Sequence, residues 1–205
     1  MKTRRIAVAA VMVVMALASA SLAATASAAP VWKFNGTELG AGKTETIVGA
    51  AIASKLTVPG ATTECEHFLY NSKVKNEAGG KGEITELPLY ECKASGSCTV
   101  ESIAAEKLPW PLHLATFGVK DYVIIEGVKV GIKYAGALCA LSGTLTIVKG
   151  TAGGEINNEA QTVTFSKSTF ETTGTSLKVG SSSVEWSGVF TAEPFETLRE
   201  EKIEA

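Results

Sequence analysis

The sequence predicts an all-β fold: a single β-sandwich or barrel-like domain with two disulfides, following an N-terminal signal peptide. Three observations carry this. Val, Ile, Thr and aromatic residues come in short runs punctuated by Gly, Asn, Ser and Pro. The clearest runs alternate apolar and polar residues with the period of a strand. Four cysteines, Cys65, Cys92, Cys98 and Cys139, all follow an export signal, and an even number in an exported chain reads as disulfides.

The strongest strand is Val128–Tyr134. Alternation puts Val128, Val130, Ile132 and Tyr134 on one face and Lys129 and Lys133 on the other. It follows Tyr122–Ile125 across Glu126-Gly127, which reads as a hairpin turn. Further strands are expected at Val31–Phe34, Glu45–Val48, Ser54–Val58, Glu64–Val74, Gly82–Leu89, Thr99–Ser102 and Leu112–Thr116, then around Leu145, Val163 and Val184–Phe190. Turn signals fall at Asn35-Gly36, Pro59-Gly60, Gly79-Gly80, Gly153-Gly154, Asn157-Asn158 and Gly180–Ser183. Helix is expected only in the charged tail, over Glu193 to Glu204. Strands at this spacing, without helical patterns between them, point to a sandwich or barrel.

The first 28 residues have the three parts of a secretion signal. Lys2, Arg4 and Arg5 form a positive end, Ile6 to Leu22 is almost wholly apolar or small, and Ala26-Ser27-Ala28 is a small-x-small cleavage motif. The apolar run is near the lower limit for a membrane span. It is Ala-rich and leads to a cleavage motif, not to Lys or Arg, so cleavage is expected and no stable membrane anchor. The organisation is then a signal peptide at 1–28, a β-rich domain at 29–192 and a charged tail at 193–205. The expected location is secreted, extracellular or loosely associated with the cell envelope of a bacterium.

Cleavage leaves about 177 residues, enough for one domain that buries about 70% of its unfolded surface. It also removes three basic residues, so the formal charge falls from −2 to about −5. Nucleic acid and anionic membrane need a dense cationic surface, and neither is expected as a partner. Asp121 is the only Asp against twenty Glu, which excludes Asp-rich calcium loops. No CxxC occurs, and His67 and His113 do not stand at zinc spacing from the cysteines, so no metal and no cofactor are expected. Three disulfide pairings are possible. The flexible segment between Cys92 and Cys98 favours that bridge, with Cys65–Cys139 as the second; Cys65–Cys92 with Cys98–Cys139 comes next.

The order Trp32-Lys33-Phe34-Asn35-Gly36, Glu64-Cys65-Glu66, Gly82-Glu83-Ile84, Leu89-Tyr90-Glu91-Cys92, Cys98-Thr99-Val100, Leu108-Pro109-Trp110-Pro111-Leu112 and Cys139 before Ser142-Gly143-Thr144 resembles a set of exported proteins of soil actinobacteria. The resemblance covers most of the chain after the signal. It implies export and a β-rich fold, and no activity.

No catalytic residues are assigned. A Ser/His/acid triad needs a histidine oriented by an acid. His113 and Asp121 stand eight residues apart, no GxSxG exists, and His113 reads as a partly buried structural residue while Asp121 reads as a turn residue. Glycoside hydrolysis needs two carboxyls about 5–10 Å apart. Glu64 and Glu66, with Glu83, Glu86 and Glu91 in the next strands, could supply them. Aromatic rings can stack on sugars, and Trp110, Trp32 and Tyr90 are the candidate ligand-binding residues. Trp110, flanked by Pro109 and Pro111, reads as an edge or loop residue. The expected function is a non-catalytic extracellular or cell-envelope binding or structural protein. Its candidate partners are cell-wall or extracellular polysaccharide or protein. The alternative is a secreted glycan-active hydrolase using a Glu pair.

Overall fold

The computed structural model describes residues 29–34 and 37–194. The signal peptide, the Asn35-Gly36 turn and the tail beyond 194 lie outside the described residues. The chain is almost entirely antiparallel strand. In order these are β1 (Lys33–Phe34), β2 (Thr37–Glu38), β3 (Thr44–Val58), β4 (Ala61–Lys75), β5 (Gly82–Glu86), β6 (Leu89–Ala94), β7 (Thr99–Ala105), β8 (Trp110–Phe117), β9 (Lys120–Ala135), β10 (Leu145–Asn157), β11 (Thr162–Phe165), β12 (Ser176–Val179), β13 (Ser182–Thr191) and β14 (Glu193–Pro194). A helix, α1 (Lys167–Thr173), stands between β11 and β12.

Among the described residues eight strands form a closed ring. The order is β3, β4, β5, β8, β9, β10, β12, β13 and back to β3. The fold is therefore a barrel, one of the two architectures expected. Closure leaves the ring without free edges. Three long strands change partner along their length. β4 pairs with β6 over one half and β5 over the other. β9 pairs with β8, then β7. β10 lies along β9 on one edge and shares its other edge between β12 and β11.

Two expected turns are strand interior. Glu126-Gly127 is a bulge within β9, not a hairpin. Ile125 pairs with Ala152 and Val128 with Gly150, so two residues stand opposite Thr151 alone. Gly127 takes the left-handed conformation such a bulge uses, with φ 65°. Gly153-Gly154 lies within β10. A β-carbon on Gly154 would come within 2.9 Å of Val163 and Phe165 side-chain atoms, so this glycine admits the Phe165 ring rather than turning the chain. The expectation of helix only in the tail also fails, because α1 has strong local signals. Ser166 and Thr169 form a reciprocal capping box, and Gly174 ends the helix at φ 67°.

The inward faces fill the barrel. Val128, Ile132, Tyr134, Val148 and Leu177 are fully buried, so the alternation expected in Val128–Tyr134 is present. Trp186 stacks on Phe165 at 4.5 Å and 9°, while Phe190 meets both rings edge-on and Phe68 closes the cluster. Trp186 Nε1 donates to Ser54 Oγ at 2.9 Å, and Thr63 and Tyr134 hydroxyls bond across the interior at 2.7 Å. These bonds satisfy polar groups that would be costly if buried alone.

Trp110 corrects the edge-or-loop expectation. It is only 2% exposed, and its indole donates to the Glu106 carbonyl at 2.9 Å. Pro109 and Pro111 stiffen the approach to a strand whose Trp points inward, and Pro111 faces out.

The favoured disulfide pairing is also overturned. The bridges are Cys65–Cys92 and Cys98–Cys139. Cys65 and Cys92 stand directly opposite one another on β4 and β6, with Cα atoms 3.9 Å apart. β6 and β7 flank the flexible segment, yet they pair with different strands, β4 and β9, so Cys92 and Cys98 do not face each other. Cys98 instead holds the 136–144 loop, whose Leu141 lies against Gly60 in the β3–β4 turn. That loop caps one end of the barrel.

Two outcomes test this packing. Trp110→Ala should destabilise the protein by about 3–5 kcal/mol, as core aromatic truncations do. A denaturant midpoint close to wild type would remove Trp110 from the core. Burial pushes the phenols of Tyr70 and Tyr134 above their usual range. The unfolded chain then releases these protons at lower pH than the folded one does. Their contribution is intact below about pH 10 and declines as pH rises through the raised folded values. In an ultraviolet titration both phenols should stay neutral until the protein unfolds; ionisation of all four tyrosines near pH 10 with the fold intact would contradict this.

Candidate functional site

With one end capped, the opposite end is where the barrel opens. Strand direction brings three connections there: the β8–β9 hairpin, the β10–β11 turn and the N-terminal segment before β1. They surround a cavity of about 560 Å³, within the usual range for small-molecule sites.

The N-terminal segment crosses this mouth. The Leu39 amide donates to the Trp32 carbonyl at 2.9 Å, and Lys33 and Glu38 form an ion pair at 3.5 Å across β1 and β2. The Trp32 indole donates to the Lys81 carbonyl at 3.2 Å. Trp32 is therefore pinned by hydrogen bonds from two directions, with its ring packed on the core. It lines both the mouth and a smaller apolar cavity of about 60 Å³ beneath, which Trp110, Tyr70 and Phe190 also line.

The rim is polar. Thr116 donates to the Asp121 carboxylate at 2.7 Å across the β8–β9 pair. Asn157 Oδ1 accepts the backbone N–H groups of Glu159 and Ala160 at 3.0 Å, which shapes the β10–β11 turn. Gln161 has φ 51°, and its carbonyl accepts the Ala192 amide at 3.0 Å. A non-glycine residue held in the left-handed region persists only where its surroundings fix it. The mouth thus has an aromatic and aliphatic floor, with Trp32, Ile47, Leu114 and Val163, beneath hydroxyl, amide and carboxylate groups. That arrangement suits a ligand with an apolar face and many hydroxyls.

The three aromatic candidates do not form one site. Trp32 is at the mouth and Trp110 lies inside. Tyr90 is on the outer wall of β6, 52% exposed and opposite His67 on β4. The glutamate candidates line the outer wall too. Glu64 pairs with Lys55 at 3.2 Å, Glu66 with Lys93, and Glu86 accepts Asn71 Nδ2 at 2.6 Å. Hydrogen bonding and charge from Lys93 hold the Glu66 carboxyl below its usual range, opposite to what a general acid needs. His113 is 39% exposed and faces Glu126 at 3.4 Å, while Asp121 is taken by Thr116, so His113 and Asp121 do not form a catalytic pair.

Sequence reasoning missed Thr116, Gln161 and Thr162, weighed Asp121 as the acid of a triad and otherwise as a turn residue, and read Asn157-Asn158 as a turn. Those turns carry the rim. Among the described residues no group of three His, Cys, Asp or Glu could hold a metal ion, and no helix is long and apolar enough to cross a membrane. No family model matches the chain, and no curated protein or solved structure is similar to it.

Proposed function

We propose that this is an exported, non-catalytic binding protein that takes a sugar unit of cell-wall or extracellular polysaccharide into the open mouth of its barrel. The observation that carries the reading is the mouth itself: a cavity of about 560 Å³ with Trp32 in its floor and Thr116, Asp121, Asn157 and Asn158 on its walls. Sugars present flat C–H faces that pack on aromatic rings and hydroxyls that bond to carboxylate, amide and hydroxyl groups. Export rests on the signal-like first 28 residues and fits two disulfides, which persist in oxidising compartments.

The hydrolase alternative needs two carboxyls facing one another across a bound sugar. Glu64 and Glu66 are instead neutralised by Lys55 and Lys93 on the convex wall.

The test is co-sedimentation of the oxidised protein with insoluble cell wall, chitin, cellulose and starch, assaying the supernatant for depleted protein and released sugar. The expected result is depletion on at least one glycan without sugar release. Trp32→Ala and Asp121→Asn should each weaken that binding about tenfold, or roughly 1.4 kcal/mol. Released sugar would replace this reading with the hydrolase. No depletion on any glycan would remove sugars as the ligand.

A further inference from the structure

Charge on this barrel is sorted by register. Lys55 faces Glu64 across β3 and β4, and Glu64 in turn faces Lys93 on β6. Lys33 faces Glu38, Lys133 bonds Glu101 at 2.7 Å, and Lys120 bonds Glu155 at 2.7 Å. Opposite charges across a strand pair stabilise a sheet and like charges directly opposite destabilise it.

One place breaks this pattern. Lys149 on β10 stands directly opposite Lys178 on β12 at one edge and Lys129 on β9 at the other. Paired residues of an antiparallel ladder project to the same side of the sheet. The neighbours Val128, Val148 and Leu177 are buried inside, so all three lysines point outward. They form a row with neighbouring strands about 4.8 Å apart. Lys129 has a counter-ion in Glu106 at 2.6 Å. Among the described residues no carboxylate lies within ion-pair distance of Lys149, Lys178 or the nearby Lys107. These four lysines, with Thr151 and Ser176, line a shallow depression of about 680 Å³ that no acidic side chain lines. After signal removal the chain carries about −5, so this cationic face is not a by-product of a basic composition.

We propose that this row is a binding site for a linear phosphate-bearing polyanion. Three ammonium groups without a carboxylate partner among the described residues, Lys107, Lys149 and Lys178, exceed the charge of one phosphate group, so the occupant that balances them carries several charges in succession. Lysine acts on phosphate as a mobile point charge, without the planar geometry that arginine imposes. The hydroxyls of Thr151 and Ser176 supply donors to phosphate oxygens. A phosphoanhydride chain carries charge on every phosphate along an unbranched backbone, so it can lay several oxyanions along a row of flexible lysines set one strand spacing apart. The site is on the outer wall, away from the mouth, and does not depend on the sugar-binding reading.

The test uses the oxidised full-length protein and fluorescently labelled long-chain inorganic polyphosphate, titrated at low and at physiological salt. Saturable binding is expected, weakening steeply with salt as phosphate-bound counterions compete. The double variant Lys149→Gln/Lys178→Gln should bind at least about tenfold more weakly. Its melting temperature should equal or exceed that of wild type, because a like-charge contact has been relieved. Lys55→Gln/Lys93→Gln, which removes paired lysines elsewhere, should leave affinity within about twofold, since lysines held in ion pairs contribute little to an added anion. Undiminished binding by Lys149→Gln/Lys178→Gln, or no saturable binding by wild type at low salt, would overturn the site. Equal affinity for orthophosphate would overturn the multivalent occupant. Tighter binding of dextran sulfate at matched charge would overturn phosphate.

Discussion

The structure depends on the closing of the ring at β10. This strand holds β9 along one edge and divides the other between β12 and β11, both of which return to β13. Without that double pairing the long strands would form an open sheet with edges free to pair with other chains. Closure creates an interior that must be filled, because apolar side chains gain by leaving water and voids forfeit contacts. The Trp186–Phe165 stack, with Phe190 and Phe68 around it, fills the region where β11, β13, β3 and β4 meet. Gly154 makes room for it, since a β-carbon there would collide with Val163 and Phe165. The feature that resembled a turn is thus what lets β11 approach the wall of β10.

That substitution of roles explains how much of the fold was readable. Strand content and the inward face of Val128–Tyr134 follow from side-chain alternation, a local property. The ends of strands do not follow so simply. In an up-and-down barrel each true turn reverses the chain, so successive turns alternate between the two ends. Reading Glu126-Gly127 and Gly153-Gly154 as turns inserts two false reversals between the β8–β9 hairpin and the Asn157-Asn158 turn. The bulge and the glycine pair show instead that β9 and β10 run uninterrupted, Lys120–Ala135 and Leu145–Asn157. Glu155 then stands opposite Tyr122 across the β9–β10 ladder, which sets Asn157 and Gln161 beside Thr116 and Asp121. The rim was present in the sequence as turn residues, but its assembly depended on pairings that a glycine signal cannot supply.

Cysteine pairing and Trp110 failed for a related reason: each was judged by its immediate neighbours. A flexible link between Cys92 and Cys98 makes their bridge sterically easy, yet β6 and β7 are recruited by different long strands. The observed bridges follow tertiary register, with Cys65 opposite Cys92 and Cys139 brought to Cys98 by the capping loop. Prolines at 109 and 111 suited an exposed loop equally well. Which way the intervening Trp points is decided by the pleat of β8, whose alternate residues Trp110, Leu112 and Leu114 are all buried.

These constraints divide the surface into regions of different chemistry. The end held by Cys98–Cys139 is covered by its loop, so binding there would require displacing a disulfide-anchored segment. At the opposite end the cover is Trp32, held by hydrogen bonds and packing alone. It separates the polar mouth from the apolar cavity below, and any group entering from solvent meets its ring before it meets the core. The outer wall follows a third logic. Cross-strand Lys–Glu pairing is used repeatedly there, so the lack of a carboxylate partner at Lys149 and Lys178 among the described residues has no stabilising explanation within the chain. A like-charge row in register, which a single Glu at 149 would relieve, is unfavourable to the sheet by itself and is the arrangement an external counter-charge would offset.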